Sequence, residues 1–179
     1  MDLNSFFNSI EDFRRGQGQR FELSPLLWII FLSIASGYIG YRPIAKFAKA
    51  NNDFFVDFIK LKHPVPSHVT FRKILTSLDS KRIINHFNEW SKSQDLQPDD
   101  WVSGDGKSLK STFTDYCGTE QDFASVVSLY CQKTGLSFQI ADYRNKKISE
   151  GQILRDLLPS LKSKGVIVSL DALHTQKKQ

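Results

Sequence analysis

The chain has 179 residues, of which 40% are hydrophobic, and its formal net charge is +5 with a pI near 9.2. This length and apolar content predict a globular protein with a core of its own. The charge is compatible with a polyanionic partner, but it is too low for a histone-like basic tail, and most of the positive excess lies in the N-terminal half.

The two cysteines, Cys117 and Cys131, form no C-x-x-C pair and have no nearby paired histidines. They predict neither a zinc site nor a disulfide framework, and we expect two reduced thiols. The apolar run at residues 26–34 is shorter than the roughly 20 residues that a membrane-spanning helix needs. The first residues lack the basic start and apolar stretch of a signal peptide. We therefore expect a cytoplasmic protein without membrane contact.

Apolar residues recur at helical spacing from the N terminus to about residue 94, which predicts an N-terminal region made of helices. Ser24 followed by Pro25 predicts the cap and first residue of one helix, and Gly37 with Gly40 predicts its end. Further helices are expected at residues 44–50, 53–62 and 81–92.

The segment 67–78 is a predicted helix that begins after Pro66 and has two distinct faces. Apolar side chains form a stripe on one face: Val69, Ile74, Leu75 and Leu78. The other face carries polar and basic side chains: His68, Arg72, Lys73 and Thr76. Such a face is a candidate surface for DNA, although a packing helix with a solvated basic face has the same pattern.

A change in character marks the boundary between two predicted domains. Residues 91–100 are polar, include a proline and lack periodicity, which is typical of a linker. We therefore divide the chain into residues 1–95 and residues 96–179.

The second domain is predicted to contain both strands and a helix. Strand-like runs occupy residues 101–105, 124–131 and 136–143, and the last alternates Leu136, Phe138 and Ile140 with Ser137, Gln139 and Ala141. Gly135, in the turn before that run, is expected at positive φ. A helix over 149–165, ended by Gly165, leads into the apolar run 166–171, which predicts a buried strand. The fold class is α+β, in the order strand, strand, strand, helix, strand.

The sequence GDGKS at residues 104–108 has two chemical interpretations. Gly106, Lys107 and Ser108 match the end of the phosphate-binding loop G-x-x-x-x-G-K-[ST] of NTPases. However, Trp101 stands where that motif needs its first glycine, and no apolar strand precedes it. The phosphate-loop interpretation is therefore the weaker alternative.

The second interpretation uses the aspartates. Three antiparallel strands, a crossover helix and a fourth strand parallel to the first are the order of the ribonuclease-H-like fold. That order predicts Asp105, near the end of the first strand, beside Asp171, at the end of the fourth. Two adjacent carboxylates are oxygen ligands of the kind that Mg²⁺ prefers, although a lone aspartate after a strand is more often a turn residue or a cap. We expect the glycines beside Asp105 to let a phosphodiester backbone approach.

Together with these residues, several ordered blocks resemble the ISAs1 family of bacterial insertion-sequence transposases, also called the H-repeat-associated family. The blocks are RRGQGQR, SPLLWIIFLSIASG, YRPIAKFAK, VPSHVTFRKIL, SGDGKSLKST and VIVSLDALHTQK, and they run through nearly the whole chain. The resemblance implies a DDE-type transposase with an incomplete ribonuclease-H-like core. Such an enzyme binds Mg²⁺ through two aspartates and a third acid, cuts transposon ends with water and joins them to target DNA through a 3′-hydroxyl.

The resemblance assigns the first two acids to Asp105 and Asp171, and it makes Lys107 and Lys110 candidate phosphate contacts. It also implies that the helical region is the DNA-binding part, with contacts from the second face of the segment 67–78: His68, Arg72 and Lys73. The implied partners are DNA at the transposon ends and a second copy or full-length transposase.

The chain departs from the family after the second aspartate. No acid follows Asp171 in this sequence, whereas the family continues to its third carboxylate. Glu150, ahead of the crossover helix, is more simply explained as a favourable charge at a helix N terminus. We therefore expect a truncated copy that is inactive alone, or a DNA-binding or regulatory module derived from a transposase.

Overall fold

The computed structural model describes residues 2–91, 96–109, 112, 122–144, 148–161 and 165–170. The chain forms two compact units, which we name the helical unit, up to Ile83, and the sheet unit, from Ile84 onward. The fold is mixed α+β, with helices in the N-terminal region and a four-stranded sheet with one helix after it, as the sequence predicted.

The helical unit contains five complete helices and the beginning of a sixth. Their bounds are α1 Leu3–Ser9, α2 Leu23–Ala35, α3 Tyr41–Ala50, α4 Asn52–Ile59, α5 His68–Ser77 and α6 Ser80–Ser91. Large apolar side chains from several helices are fully buried and form the core: Leu26, Ile29, Ile44, Phe55, Phe71 and Ile74. None of the helices that the structure describes is long and apolar enough to span a bilayer.

Two predicted helix starts have different outcomes. The start at Ser67 is confirmed, because Ser67 is the extended N-cap of α5. The start at Ser24 is wrong by two residues, because α2 begins at Leu23 with Glu22 as its N-cap. The proline ring at Pro25 is tolerated inside the first turn, where backbone N–H groups have no partner within the helix, so it does not fix the first residue.

The sheet unit has four strands in the spatial order β3, β2, β1, β4. Their bounds are β1 Trp101–Ser108, β2 Ala124–Cys131, β3 Leu136–Arg144 and β4 Ile167–Leu170. β1 pairs antiparallel with β2 and parallel with β4, and β2 pairs antiparallel with β3. The helix α7, Glu150–Leu157, lies between β3 and β4 in the chain. The predicted order of strands and helix is confirmed.

The core of the sheet unit lies between α7 and one face of the sheet. Leu154 of α7 is buried in one cluster with Val102, Val127 and Leu129 from the two central strands. α7 is shorter than predicted, because it ends at Leu157 and a 3₁₀ turn follows at Leu158–Ser160. Pro159 in that turn has no N–H to continue the α-helical bonding.

The outer strands differ from their sequence patterns. In β3 the polar Gln139 is buried and pairs with the buried Leu129, whereas Leu136, the first residue of the strand, is exposed. The pairing with β2 shifts register between Leu129 and Tyr130. β4 is expected to be buried, yet Ile167 is 48% exposed because β4 is the last strand in the spatial order. Gly135 has the predicted positive φ, at 71°.

The second part of α6 is attached to β3 of the sheet unit by hydrogen bonds from two side chains, Asn88 and Ser91. Asn88 Nδ2 donates to the carbonyl of Ile140 at 2.9 Å, and the N–H of Ile140 donates to Asn88 Oδ1 at 2.9 Å. The hydroxyl of Ser91 donates to the carbonyl of Phe138. The compact units are therefore divided inside α6, whereas the predicted division at residues 95 and 96 follows the polar composition after it.

Candidate functional site

Asp105 is the fifth of the eight residues of β1, and its side chain is exposed. Its backbone pairs with Ser128 of β2, and the ladder continues without interruption through Gly106 and Lys107 to Ser108. Strand backbone cannot form the wide turn that cradles a phosphate chain. The phosphate-loop interpretation of residues 106–108 is therefore wrong, and β1 extends three residues beyond its predicted end.

The glycines on either side of Asp105 face α7. A Cβ atom built on Gly104 would lie 2.6 Å from Leu170 Cδ2 and 2.8 Å from Leu154 Cδ2. A Cβ atom on Gly106 would overlap the carboxyl group of Glu150. The expectation that these glycines make room for a phosphodiester backbone is wrong, because protein side chains fill that space.

The side chain of Asp105 belongs to the opposite face of the sheet, since successive residues of a strand alternate between faces. Ser103 and Lys107 share this face, two residues before and after it. Ser103 Oγ lies 2.9 Å from Ser169 Oγ on β4, and Gln132 Nε2 donates to Ser103 Oγ at 3.0 Å. We name the surface formed by Ser103, Asp105, Lys107 and Ser169 the polar face of the sheet.

The register of the parallel pairing between β1 and β4 aligns the residues that precede Asp105 and Asp171. Ser103 pairs with Ser169, and Gly104 pairs with Leu170. These last two residues immediately precede Asp105 and Asp171 in the sequence. Asp171 and Lys110 lie outside the described residues, so their predicted roles stay predictions.

The carboxylate of Asp105 is available to a ligand, because it forms no hydrogen bond or ion pair with another described residue. A carboxylate flanked by hydroxyl groups is a set of oxygen donors of the kind that hard cations such as Mg²⁺ prefer. Within the described ranges, no group of three or more His, Cys, Asp or Glu side chains is close enough together to hold a metal ion. Asp105 therefore fits a metal site in part, as one oxygen ligand.

Glu150 lies on the other face of β1 from Asp105, against Gly106 at the start of α7. Nearby, Tyr143 of β3 is opposite Ser125 of β2. The pKa of the Tyr143 phenol is raised above its usual 10.0. Burial is the main cause and the charge of Glu150 adds to it, whereas the hydrogen bond with Ser125 acts in the opposite direction. The Tyr143 phenol therefore stays protonated on this side of the sheet, where the groups are packed together rather than presented to solvent.

The predicted DNA contacts of α5 are exposed but do not all lie in one place. His68 is the first residue of α5, and its ring is stacked on Tyr41 of α3 with centroids 6.4 Å apart. It lines a groove together with residues of α3, whereas Arg72 and Lys73 do not line that groove. All three side chains are exposed, and the apolar face of α5 packs through Phe71 and Ile74.

Sequence reasoning missed three basic residues that line the same groove. They are Arg42, Lys46 and Lys49 of α3, which are spaced at i, i+4 and i+7. That spacing puts the three side chains on one face of a helix. The signal was present in the block YRPIAKFAK, and its basic positions were not read as a surface.

Residues 4–91 match the family described as DDE_Tnp_1-associated. The chain is 24% identical over 177 residues to the "H repeat-associated putative transposase YhhI" of Escherichia coli K12, covering 98% of this chain and 46% of that protein. It is 24% identical over 177 residues to the "H repeat-associated putative transposase YbfD" of the same organism, covering 98% of this chain and 68% of that protein.

A protein of Xanthobacter autotrophicus, named for the dhlA 3′ region, is 25% identical over 176 residues, which are 96% of this chain and 58% of that protein. The chain thus spans about half the length of YhhI and of the Xanthobacter protein. Residues 4–91 are thus similar to the DDE_Tnp_1-associated family, and the predicted resemblance to the H-repeat-associated family is confirmed.

Proposed function

We propose that the protein acts on DNA in the cytoplasm as a transposase of a bacterial insertion sequence, the ISAs1 type that its motifs resemble. The helical unit binds transposon ends, and the sheet unit is part of a ribonuclease-H-like catalytic core. The names of the relatives support a transposase-related function, and the strand order of the sheet is compatible with such a core.

The observation that carries the proposal is the contact between Ser103 and Ser169 on the polar face of the sheet. Their hydroxyl oxygens are 2.9 Å apart although the residues are 66 positions apart in the chain. Asp105 and Asp171 each follow two positions later, and side chains on one face of a strand repeat every second residue. We infer that the two carboxylates form one site there and hold Mg²⁺.

In this site each residue has a distinct task. The two carboxylates would hold Mg²⁺, and the metal would supply activation of the attacking hydroxyl and stabilisation of the leaving oxygen. Lys107, on the same face as Asp105, binds a phosphate oxygen and orients the strand to be cut, and Lys110 does the same further along. Water first breaks the phosphodiester bond at the transposon end and leaves a 3′-hydroxyl. That hydroxyl then attacks a phosphate of the target and displaces its 3′ oxygen.

The test is a nicking and strand-transfer assay on labelled transposon ends with added MgCl₂ or with EDTA, and product from the wild type would overturn the expectation from the sequence that this chain is inactive alone. Asp105→Asn removes the charge and keeps the shape, so we expect it to abolish cleavage. Asp142→Asn is the matched control, because Asp142 is an exposed aspartate on β3 of the same sheet. Cleavage that survives Asp105→Asn, or that both variants lose equally, would contradict the proposed site.

A second candidate function is a DNA-binding or regulatory module without cleavage. The basic groove of the helical unit favours it, because Arg42, Lys46 and Lys49 need no carboxylate to bind DNA. Specific binding to terminal inverted repeats, with no nick at any Mg²⁺ concentration, would support this module. Equal affinity for every duplex at physiological salt would count against it.

A further inference from the structure

A groove in the helical unit lies between α3 and the segment that leads into α5. Its volume is about 910 Å³. Arg42, Lys46 and Lys49 of α3 line one wall of the groove. His68, the first residue of α5, also lines it. Three basic side chains of α3 thus line one side of the groove.

The second wall of the groove is restrained. Pro64 and Pro66 line it, and each fixes its own φ, which limits the motion of this segment. Between them, the N–H of Val65 donates to Asn52 Oδ1 of α4 at 3.1 Å. These restraints limit how far the second wall can move when a ligand binds.

The three α3 cations are free to bind an external anion. Arg42, Lys46 and Lys49 are exposed, and none forms an ion pair or hydrogen bond with another residue that the structure describes. None of the residues that line the groove is acidic. By contrast, Arg14 is paired with Asp12 at 2.6 Å, and Lys62 is paired with Glu22 at 3.0 Å.

The arrangement of the charges indicates the shape of the ligand. Residues 42 and 49 are seven positions apart, so the three cations extend over roughly 10 Å along the helix axis. A single phosphate would need the cations to converge on one point, whereas these form a line. The phosphates of one DNA strand also form a line, with one phosphate per about 3.4 Å of duplex axis.

We propose that this groove binds the sugar-phosphate backbone of one strand of duplex DNA, with Arg42, Lys46 and Lys49 contacting two or three consecutive phosphates. The inference rests on the proposed DNA-binding function and assigns it to α3 rather than to α5. His68 closes the end of the groove, where its ring is held by stacking on Tyr41. Arg72 and Lys73 then lie outside the main phosphate contacts.

The test measures the binding of the full chain to a fluorescein-labelled duplex of mixed sequence at several salt concentrations. The variant is the triple substitution Arg42→Gln, Lys46→Gln and Lys49→Gln. Because each lost phosphate contact lowers the slope of log K against log salt by roughly 0.9, we expect the slope to fall by roughly two to three. Affinity near physiological salt should fall on the order of a hundredfold.

Two further variants make the result specific. The triple variant Arg15→Gln, Lys60→Gln and Lys81→Gln removes the same charge from exposed sites of the helical unit outside the groove. The double variant Arg72→Gln and Lys73→Gln removes the exposed cations of α5. We expect both to keep the wild-type slope within about one unit, and circular dichroism confirms that all variants are folded.

The outcomes separate the two proposals. If the wild type binds DNA and the groove variant keeps its slope, the groove assignment is overturned while DNA binding stands. A loss of slope in the α5 variant alone would also overturn the groove and return the contacts to α5. If the wild type binds no duplex at all, the proposed DNA-binding function fails, and the groove assignment fails with it.

Discussion

The helical unit and the sheet unit present their candidate functional groups in different ways. On α3 the three cations lie on one face, while Ile44 and Ala48 fill the core on the other. On β1 the exposed Asp105 lies between Gly104 and Gly106. Side chains of α7 and β4 occupy the space that a Cβ atom on either glycine would need. The surface of α3 can therefore change without disturbing its core, whereas the position of Asp105 depends on the packing directly behind it.

The largest expected effect is the loss of DNA cleavage in Asp105→Asn without a loss of DNA binding. Asp105→Asn should lower Mg²⁺-dependent cleavage by about a thousandfold or more, since a metal ligand contributes several kcal/mol to the transition state. The same variant should bind the transposon end as the wild type does. Cleavage by gel assay and binding by anisotropy, measured on the same preparations, check this.

The complementary measurement uses the groove variant of α3. At a DNA concentration that saturates it, this variant should still cleave, because its polar face is intact. If Asp105→Asn weakens binding as much as the groove variant does, the two units do not divide the tasks as proposed.

The next largest effect concerns the core behind Asp105. Leu154→Ala removes a buried side chain of α7 that packs against β1, so we expect the free energy of unfolding to fall by about 2–5 kcal/mol. Urea denaturation followed by circular dichroism measures the loss. Ile167→Ala, on the exposed part of β4, is the control and should cost much less. Similar losses in both variants would mean that α7 is not packed as described.

A smaller effect is expected from the opposite change, which adds volume. Gly104→Ala places a methyl group within 2.6 Å of Leu170 and 2.8 Å of Leu154, so α7 or β4 must shift. We expect a loss of about 1–3 kcal/mol in thermal or urea unfolding, together with weaker cleavage. Gly16→Ala is the matched control, because nothing lies within 4 Å of its added methyl group. A stable and fully active Gly104→Ala variant would show that Leu170 and Leu154 can move to accommodate the methyl group without loss of stability.

The smallest effect depends on pH and concerns Asp100, just before β1. Its Oδ2 accepts from the N–H of Gln97 at 2.7 Å, and its Oδ1 lies 3.1 Å from Lys133 Nζ. The backbone hydrogen bond from Gln97, followed by the interaction with Lys133, lowers the pKa of Asp100 below its usual 3.8. The charge therefore stabilises the fold above that value, and this stabilisation is lost as pH falls through the folded-state pKa.

Thermal unfolding of Asp100→Asn as a function of pH checks this linkage. The variant should melt below the wild type at neutral pH, and the difference should narrow as the pH falls below 3.8. Lys133→Gln should reproduce only part of the neutral-pH loss, because it leaves the bond from Gln97 in place. A difference that grows on acidification would contradict the assigned direction.

Local patterns predicted the order of strands and helix along the chain, the start of α5 at Ser67 and the positive φ of Gly135, because each depends on neighbouring residues. The faces of Gly104 and Gly106 could not be predicted in this way. They are set by Leu154, Leu170 and Glu150, which the chain brings back only after a long separation. The same holds for Gln139, which is buried where it pairs with Leu129 of β2.

The candidate site was predicted unevenly for related reasons. Asp105 was singled out because the predicted order of strands brings the end of the first strand beside the fourth, and its side chain is exposed. The basic positions of α3 are visible in the sequence, but the groove was not predicted because its second wall comes from residues 64–68, outside α3. The stripe of a single helix does not define a groove, because a groove forms between two neighbouring elements.

The paired hydrogen bonds of Asn88 with Ile140 also have a consequence for solubility. A strand at the edge of a sheet leaves backbone groups open to pairing with another molecule, which promotes aggregation. On β3, Asn88 supplies one donor and one acceptor to Ile140, and Ser91 supplies a donor to Phe138, so α6 imitates a short neighbouring strand. Strand addition is thereby blocked along the middle of β3, and this edge of the sheet is protected against self-association without a proline or a charged side chain at Ile140.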